Sequence, residues 1–274
     1  MPELPEVETI RRGLDPRIKG KTFFQVEIYD NYLIKYPSPQ DFVEYLQGCT
    51  VSEVSRRGKY LIFSLSFNRK LALHLGMTGA LIFPGEHFPK VSHLRILFQL
   101  DTGESIMYSD PRKFGGFWLL REGEGLEKLN SLGPDWWEKV TLPLFMEKIS
   151  SRKNSRVKNL LMNQQLFSGM GNIYTDESLY RANILPFAYP GDLSEEQLKN
   201  LFYAIKGTLE EALKWGGTST RDYLNSSGEP GGFQNRLLVY GRAGEKCTRC
   251  GWEIQKDKIN GRGTYYCPFC QGET

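Results

Sequence analysis

The sequence predicts an α+β, multidomain chain, and three observations carry that prediction. Between Lys21 and Leu120, short apolar runs separated by turn residues read as strands of a sandwich or barrel. From Gly133-Pro134 onward, apolar spacing of three and four residues takes over, which is the helical period. Near the end, two Cys-x-x-Cys pairs replace a hydrophobic pattern. A chain of 274 residues with 40% hydrophobic content is long enough for two ordinary domains with real cores.

In chain order, residues 5–14 suit a helix, with Val7, Ile10 and Leu14 on one face and Gly13 and Pro16 at its end. Strands are predicted at 24–28, 60–65, 71–75, 94–100, 105–108 and 117–120, with a hairpin turn at Asp101-Thr102-Gly103. A helix at 40–46 stops at Gly48. Helices follow at 143–150 and 156–167, and Asn172 reads as the N-cap of another over 173–182. Ser194-Glu195-Glu196-Gln197 is a capping box. It opens a long amphipathic helix with Leu198, Leu201, Phe202, Ile205, Leu209 and Leu213 on one stripe. The loop from Gly217 to Gly232 is long enough to imply function or disorder.

Composition excludes several classes. No apolar run approaches the ~20 residues of a membrane span. The acidic N-terminus carries no signal sequence, so a cytoplasmic protein is expected. Net charge is only +3, so a polyanionic partner has to be argued from local clusters. Five cysteines, four of them in two tight pairs, do not make a disulfide framework. The lone Cys49 reads as a buried small hydrophobe.

Cys247, Cys250, Cys267 and Cys270, with residues 251–266 between the pairs, fit one structural Zn2+ in a closed tetrahedron. A short tail with so little apolar content needs the metal to fold. Basic residues outnumber acids from Arg236 to Arg262, and Gly261-Arg262-Gly263 reads as a hairpin tip that can meet a phosphate.

The first eight residues, Met1-Pro2-Glu3-Leu4-Pro5-Glu6-Val7-Glu8, carry the chemistry. Removal of Met1 would leave Pro2 as a terminal secondary amine. An α-amino group titrates near ~8 against ~10.4 for lysine, so at neutral pH roughly a tenth or more is unprotonated and nucleophilic. Such an amine can form an iminium ion, with Glu3 beside it to move protons. The same residues also serve as ordinary helix-start chemistry. Lys59, in Arg56-Arg57-Gly58-Lys59, could hold a phosphate or donate a proton; a solvated turn fits those four residues equally well. Arg152, Lys153, Arg156 and Lys158 form a second basic cluster, and Gly169-Met170-Gly171-Asn172 turns into a helix start suited to a phosphate. The loops His74–Gly79 and Asp110–Gly116 could present Met77, Arg112 and Phe114 to the gap left by a flipped base. Spacing alone would instead make Met77 and Phe114 core residues.

Together these residues resemble the bacterial formamidopyrimidine-DNA glycosylase family over nearly the whole chain. The most specific matches are the N-terminal motif, Gly169-Met170-Gly171-Asn172-Ile173-Tyr174 and the zinc finger. The resemblance implies an N-terminal β-sandwich catalytic domain (1–133). It also implies a helix–two-turn–helix DNA-binding domain with a lesion-covering loop at 217–232 (134–235), and a β-hairpin zinc finger (236–274). It implies that Pro2 is the nucleophile at the sugar C1′, Glu3 the proton donor, Lys59 active in β-elimination and Arg262 in δ-elimination. Met77, Arg112 and Phe114 would fill the duplex gap, while His74, His93, Lys153 and Asn172 would contact the backbone. Glu6 would support the pocket. The implied partner is double-stranded DNA with oxidised bases or abasic sites, bound by a monomer. The implied activity is removal of oxidised purines followed by strand cleavage. Gly76 and Thr78 stand where some relatives have arginine and glutamate. The competing readings are an endonuclease VIII-type enzyme for oxidised pyrimidines and a non-catalytic damage-binding protein.

Overall fold

The computed structural model describes residues 1–84, 91–220 and 222–272. Of the 217–232 loop, Arg221 lies outside the described residues. The chain divides into two compact units. One is Met1–Asn130 with Leu213–Gln234; the other is Ser131–Ala212 with the chain from Asn235 onward. No described helix is long and apolar enough to cross a membrane.

The first unit is built on helix α1 (Leu4–Ile18) and two sheets. One sheet orders β1 (Phe23–Ile28), β7 (Leu94–Leu100), β8 (Ser105–Ser109) and β6 (Ala80–Ile82). The other orders β2 (Ile34–Tyr36), β9 (Gly116–Leu120), β5 (Arg69–His74), β4 (Tyr60–Leu65) and β3 (Val51–Arg57). Their inner faces share one apolar core, in which Phe98 of one sheet meets Phe117 of the other at 5.8 Å between ring centroids. This is the expected sandwich. Helix α2 (Pro39–Leu46) ends at Gly48, whose φ of +78° suits glycine.

Helix α1 runs four residues past the expected end at Leu14. Gly13 is not a stop: a Cβ there would sit 2.1 Å from the Ser226 hydroxyl, so it is a close-approach residue. Pro16 falls in the last turn, and Leu14 and Ile18 continue the buried stripe of Val7 and Ile10. Strand β3 escapes sequence reading because, as an edge strand, it exposes Ser52, Glu53 and Arg57 and lacks clean alternation. The three-residue strands β2 and β6 are too short to show a period.

The second unit carries α4 to α8, while α3 (Glu127–Asn130) belongs to the first. Helix α4 (Leu142–Ser150) is followed by α5 (Val157–Met162), shorter than the expected 156–167. Beyond Met162 the chain turns, because the Asn163 carbonyl and side chain accept from the Phe167 and Gln165 N–H groups. Helix α6 (Asn172–Arg181) follows, then α7 (Glu195–Lys214), opened by the reciprocal Ser194–Gln197 bonds of the predicted capping box. Strands β10 (Gln255–Ile259) and β11 (Arg262–Tyr266) form a hairpin before α8 (Pro268–Gly272). The hairpin tip is Asn260-Gly261, both with positive φ, a two-residue turn matching strand twist. Arg262 is therefore the first residue of β11, not the tip.

Candidate nucleic-acid-processing site

In the first unit, α1 lies along β3, tied by the Asp15 carboxylate accepting from the Val54 N–H at 2.7 Å and by Glu8 pairing with Arg56 at 3.1 Å. Successive ties move toward the N-terminus of α1 and the end of β3. Arg56, which also donates to the Gly58 carbonyl at 2.9 Å, thus carries the Gly58–Lys59 turn toward the start of the helix, where Pro2 and Glu3 lie buried. Burial works to raise the Glu8 carboxyl pKa, but hydrogen bonds from Arg11 and Arg12 outweigh it and hold it below the usual range.

Lys59 is 6% exposed, so it is no solvated turn residue. The β4–β5 register places Tyr60 opposite His74, with ring centroids 4.8 Å apart. Burial, then the positive charges of Lys59 and Lys128, push His74 down to about 4, so it is neutral near pH 7. Its Nδ1 accepts from the Gly76 N–H at 3.0 Å. The proton must then sit on Nε2, which makes His74 a neutral donor.

Glu6 is the hinge of the N-terminal motif. Its carboxylate accepts from the Glu3 N–H and, on the other oxygen, from the Thr218 N–H, each at 2.7 Å. The buried Tyr223 hydroxyl donates to the Glu6 carbonyl at 3.3 Å. At its tip, the Ser226 carbonyl accepts from the Phe83 N–H at 2.7 Å. The described part of the 217–232 loop is therefore folded onto the helix that begins at the Pro2-Glu3 motif.

Met77 (42% exposed) and Phe114 (53% exposed) are not core residues. They stand with exposed Arg112 on two loops, and the Arg112 guanidinium lies 4.8 Å over the Phe114 ring. His93 is exposed at the start of β7, and its carbonyl accepts from the Asp110 N–H at 3.3 Å.

In the second unit, exposed Lys153 and Arg152 remain surface cations, but Lys158 does not belong with them. It is 1% exposed and donates to Asp176 at 2.7 Å, Thr264 Oγ1 at 2.8 Å and the Gly263 carbonyl at 3.3 Å. Burial pushes the Asp176 carboxyl up to about 7 against the pull of Lys158 and of the Tyr265 N–H. Asn172 is the first residue of α6 rather than its cap, and its Nδ2 donates to the Gly263 carbonyl at 2.8 Å. One turn on, the Glu177 carboxylate accepts from the Leu238, Val239 and Tyr240 N–H groups. Helix α6 thereby fixes the hairpin that presents exposed Arg262. Asp176 and Glu177 are buried structural supports that sequence reading missed. Their signal was a pair of adjacent acids inside a helix that is otherwise apolar or small on its inner side.

The four cysteine Sγ atoms lie within 4.8 Å of one another, with Cys250–Cys267 at 3.5 Å and Cys247–Cys270 at 3.8 Å. Zinc–sulfur bonds of ~2.3 Å in a tetrahedron separate sulfurs by ~3.8 Å, so the set fits one structural zinc ion.

The comparisons agree with this geometry. The model of the formamidopyrimidine-DNA glycosylase N-terminal domain matches residues 1–117, that of its H2TH domain residues 132–223, and that of the zinc finger found in FPG and IleRS residues 244–272. The chain is 38% identical to the formamidopyrimidine-DNA glycosylase of Pelotomaculum thermopropionicum and 40% identical to that of Bacillus subtilis, over 99% of each chain. The chain belongs to the formamidopyrimidine-DNA glycosylase family. A Lactococcus lactis FPG mutant in complex with Fapy-dG-containing DNA matches with a TM-score of 0.90 at 37% identity, over 99% of this chain and 100% of that one. The Lactococcus lactis Fpg with abasic-site DNA matches at 0.89 and 37% identity, with the same coverage. The H2TH match spans helices α4 to α7.

Proposed function

We propose that this chain is a base-excision DNA glycosylase and lyase that removes oxidised purines from duplex DNA, with Pro2 as its nucleophile. The observation that carries the proposal is the buried Pro2-Glu3 pair at the head of α1. Glu6 holds the Glu3 N–H, and buried Lys59 follows the strand that α1 packs along. With Met1 removed, the Pro2 amine attacks C1′ of the damaged nucleotide, and the base leaves with a proton supplied by Glu3. The sugar ring opens as the C1′ iminium forms. The iminium acidifies the C2′ proton; its loss expels the 3′-phosphate, with Lys59 assisting. A second elimination, assisted by Arg262, expels the 5′-phosphate. Water finally releases the enzyme.

The lesion must leave the stack before this chemistry can start, at a cost of a few kcal/mol. Exposed Met77, Arg112 and Phe114 fill the gap, with Arg112 facing the orphaned cytosine. His74 as a neutral donor, with His93, Lys153 and Asn172, contacts the DNA backbone. Zinc supplies no chemistry; it holds the hairpin that carries Arg262. The protein works as a cytoplasmic monomer.

The test is borohydride reduction in the presence of a duplex carrying one 8-oxoguanine opposite cytosine, with mass analysis of the N-terminal peptide. The expected result is a DNA adduct on Pro2 and no retained Met1. DNA binding without any adduct would favour a non-catalytic damage binder. Preferential cleavage at thymine glycol would favour the pyrimidine-specific reading.

A further inference from the structure

One buried acid takes no part in the chemistry above. Asp110 is 0% exposed, at the junction of β8 and the loop that carries Arg112 and Phe114. One carboxylate oxygen accepts from the Thr78 hydroxyl at 2.5 Å and the Arg112 N–H at 3.3 Å. The other accepts from the Gly115 N–H at 2.9 Å and the Tyr108 hydroxyl at 3.2 Å. Thr78, itself 5% exposed, also accepts from the Arg112 N–H at 3.3 Å. A carboxylate buried this deeply is tolerable only when its oxygens are saturated with donors. Here the donors come from both loops.

The glycines say the same. A Cβ on Gly76 would lie 2.4 Å from the Phe114 carbonyl carbon, and one on Gly115 would lie 1.8 Å from the Tyr108 hydroxyl. One on Gly79 would lie 2.5 Å from that same hydroxyl. The backbones of residues 75–79 and 110–116 therefore touch around a single polar centre. The side chains at their tips point to solvent and contribute no apolar anchor.

We infer that Asp110, through Thr78 and Tyr108, is a positioning residue that locks the two loops into one rigid insert, so that Met77, Arg112 and Phe114 enter the DNA together. This rests on the proposed role of those three side chains. Asp110 touches neither substrate nor reacting atoms. A preorganised insert loses less conformational entropy on filling the gap than two independent loops would.

The test avoids chemistry, so that it stands apart from the glycosylase reading. A duplex with a tetrahydrofuran abasic analogue and 2-aminopurine as the neighbouring base brightens when a wedge unstacks the base. The wild-type protein should brighten it. Thr78→Val removes the hydroxyl without changing the side chain's shape. It should bind the duplex within about threefold of wild type but lose most of the fluorescence rise, whereas Thr78→Ser should restore it. Asp110→Asn, which turns one acceptor into a donor facing the Gly115 N–H, should lose at least as much. On an 8-oxoguanine duplex, Thr78→Val should lower kcat/KM about tenfold and reduce the preference for cytosine over adenine opposite the lesion. Combined with Phe114→Ala, it should cost less than the sum of the two single losses, since both act through one device. Full brightening by Thr78→Val, or additive losses in the double variant, would overturn the inference. A wild-type protein that brightens the probe yet forms no borohydride adduct would sink the glycosylase reading and leave this one standing.

Discussion

The two units hold the exposed side chains proposed for DNA contact in place by different means. In the first, the loops carrying Met77, Arg112 and Phe114 spring from strands of a sandwich with a continuous apolar core, and Asp110 only sets their local geometry. In the second, Arg262 stands on a hairpin whose buried apolar cluster is Tyr180, Val239, Cys247, Ile254 and Cys267, two of them metal ligands. Coordination and the buried carboxylates of α6 replace the missing core. The lesson is that a polar group can be a refinement in one region and a foundation in another. What decides is how much apolar surface lies beneath it.

The sharpest way to break the comparison is to remove the metal. A structural zinc is worth ~10–16 kcal/mol to a small finger. Chelation should therefore unfold the 244–272 segment and abolish duplex binding, while hydrogen exchange in β4, β5 and β9 stays slow. Loss of protection in both units together would mean that they do not differ in this way.

Next in size is the Lys158–Asp176 pair. Lys158→Met leaves a buried carboxylate without its cation, at a cost of ~3–5 kcal/mol in denaturant titrations. Exchange should rise in the hairpin and not in the sandwich. Lys158→Met with Asp176→Leu should recover most of the loss.

A smaller effect separates strain from contact in the first unit. Gly217 has φ +84°, and a Cβ there would lie 2.7 Å from Glu6 Oε1. Gly20 has nearly the same φ, +82°, with nothing within 4 Å. Gly20→Ala should cost about 1 kcal/mol for the backbone alone. Gly217→Ala should cost more, speed exchange in the 217–232 loop and lower kcat. Equal costs would show that Glu6 simply moves aside.

The effect that is smallest near neutral pH, and grows only in acid, is the titration of a histidine. His74 titrates at about 4 when folded, below the ~6.5 of an unfolded histidine. Between those values the unfolded chain binds the extra proton, so stability falls as pH drops from 6.5 toward 4. His74→Asn should flatten that part of the melting-temperature profile. An unchanged slope would place the acid sensitivity elsewhere.

Much of this was legible in the sequence. The strands at 60–65 and 94–100 fall where alternation puts them, as does the capping box at Ser194. The four cysteines meet because their spacing leaves little else to do. Local periodicity and metal-ligand spacing are properties of neighbouring residues, and a sequence displays them directly.

Other features exist only because distant segments meet. Lys158 reads as one more cation in a basic cluster, yet it is buried against Asp176 and against Thr264, 106 positions away. Gly13 reads as a helix stop, yet it is the place where Ser226 approaches α1. Asp110 reads as the first residue of a loop, yet it binds Thr78, 32 positions earlier. In each case the physical cause is the same. A buried charge or a missing Cβ is intelligible only from the partner it meets, and the chain's tertiary packing chooses that partner. The sequence by itself determined the element types, the metal site and the candidate chemistry of Pro2 and Glu3. Tertiary structure decided which charges face solvent, which are buried as supports, and which loops act as one body.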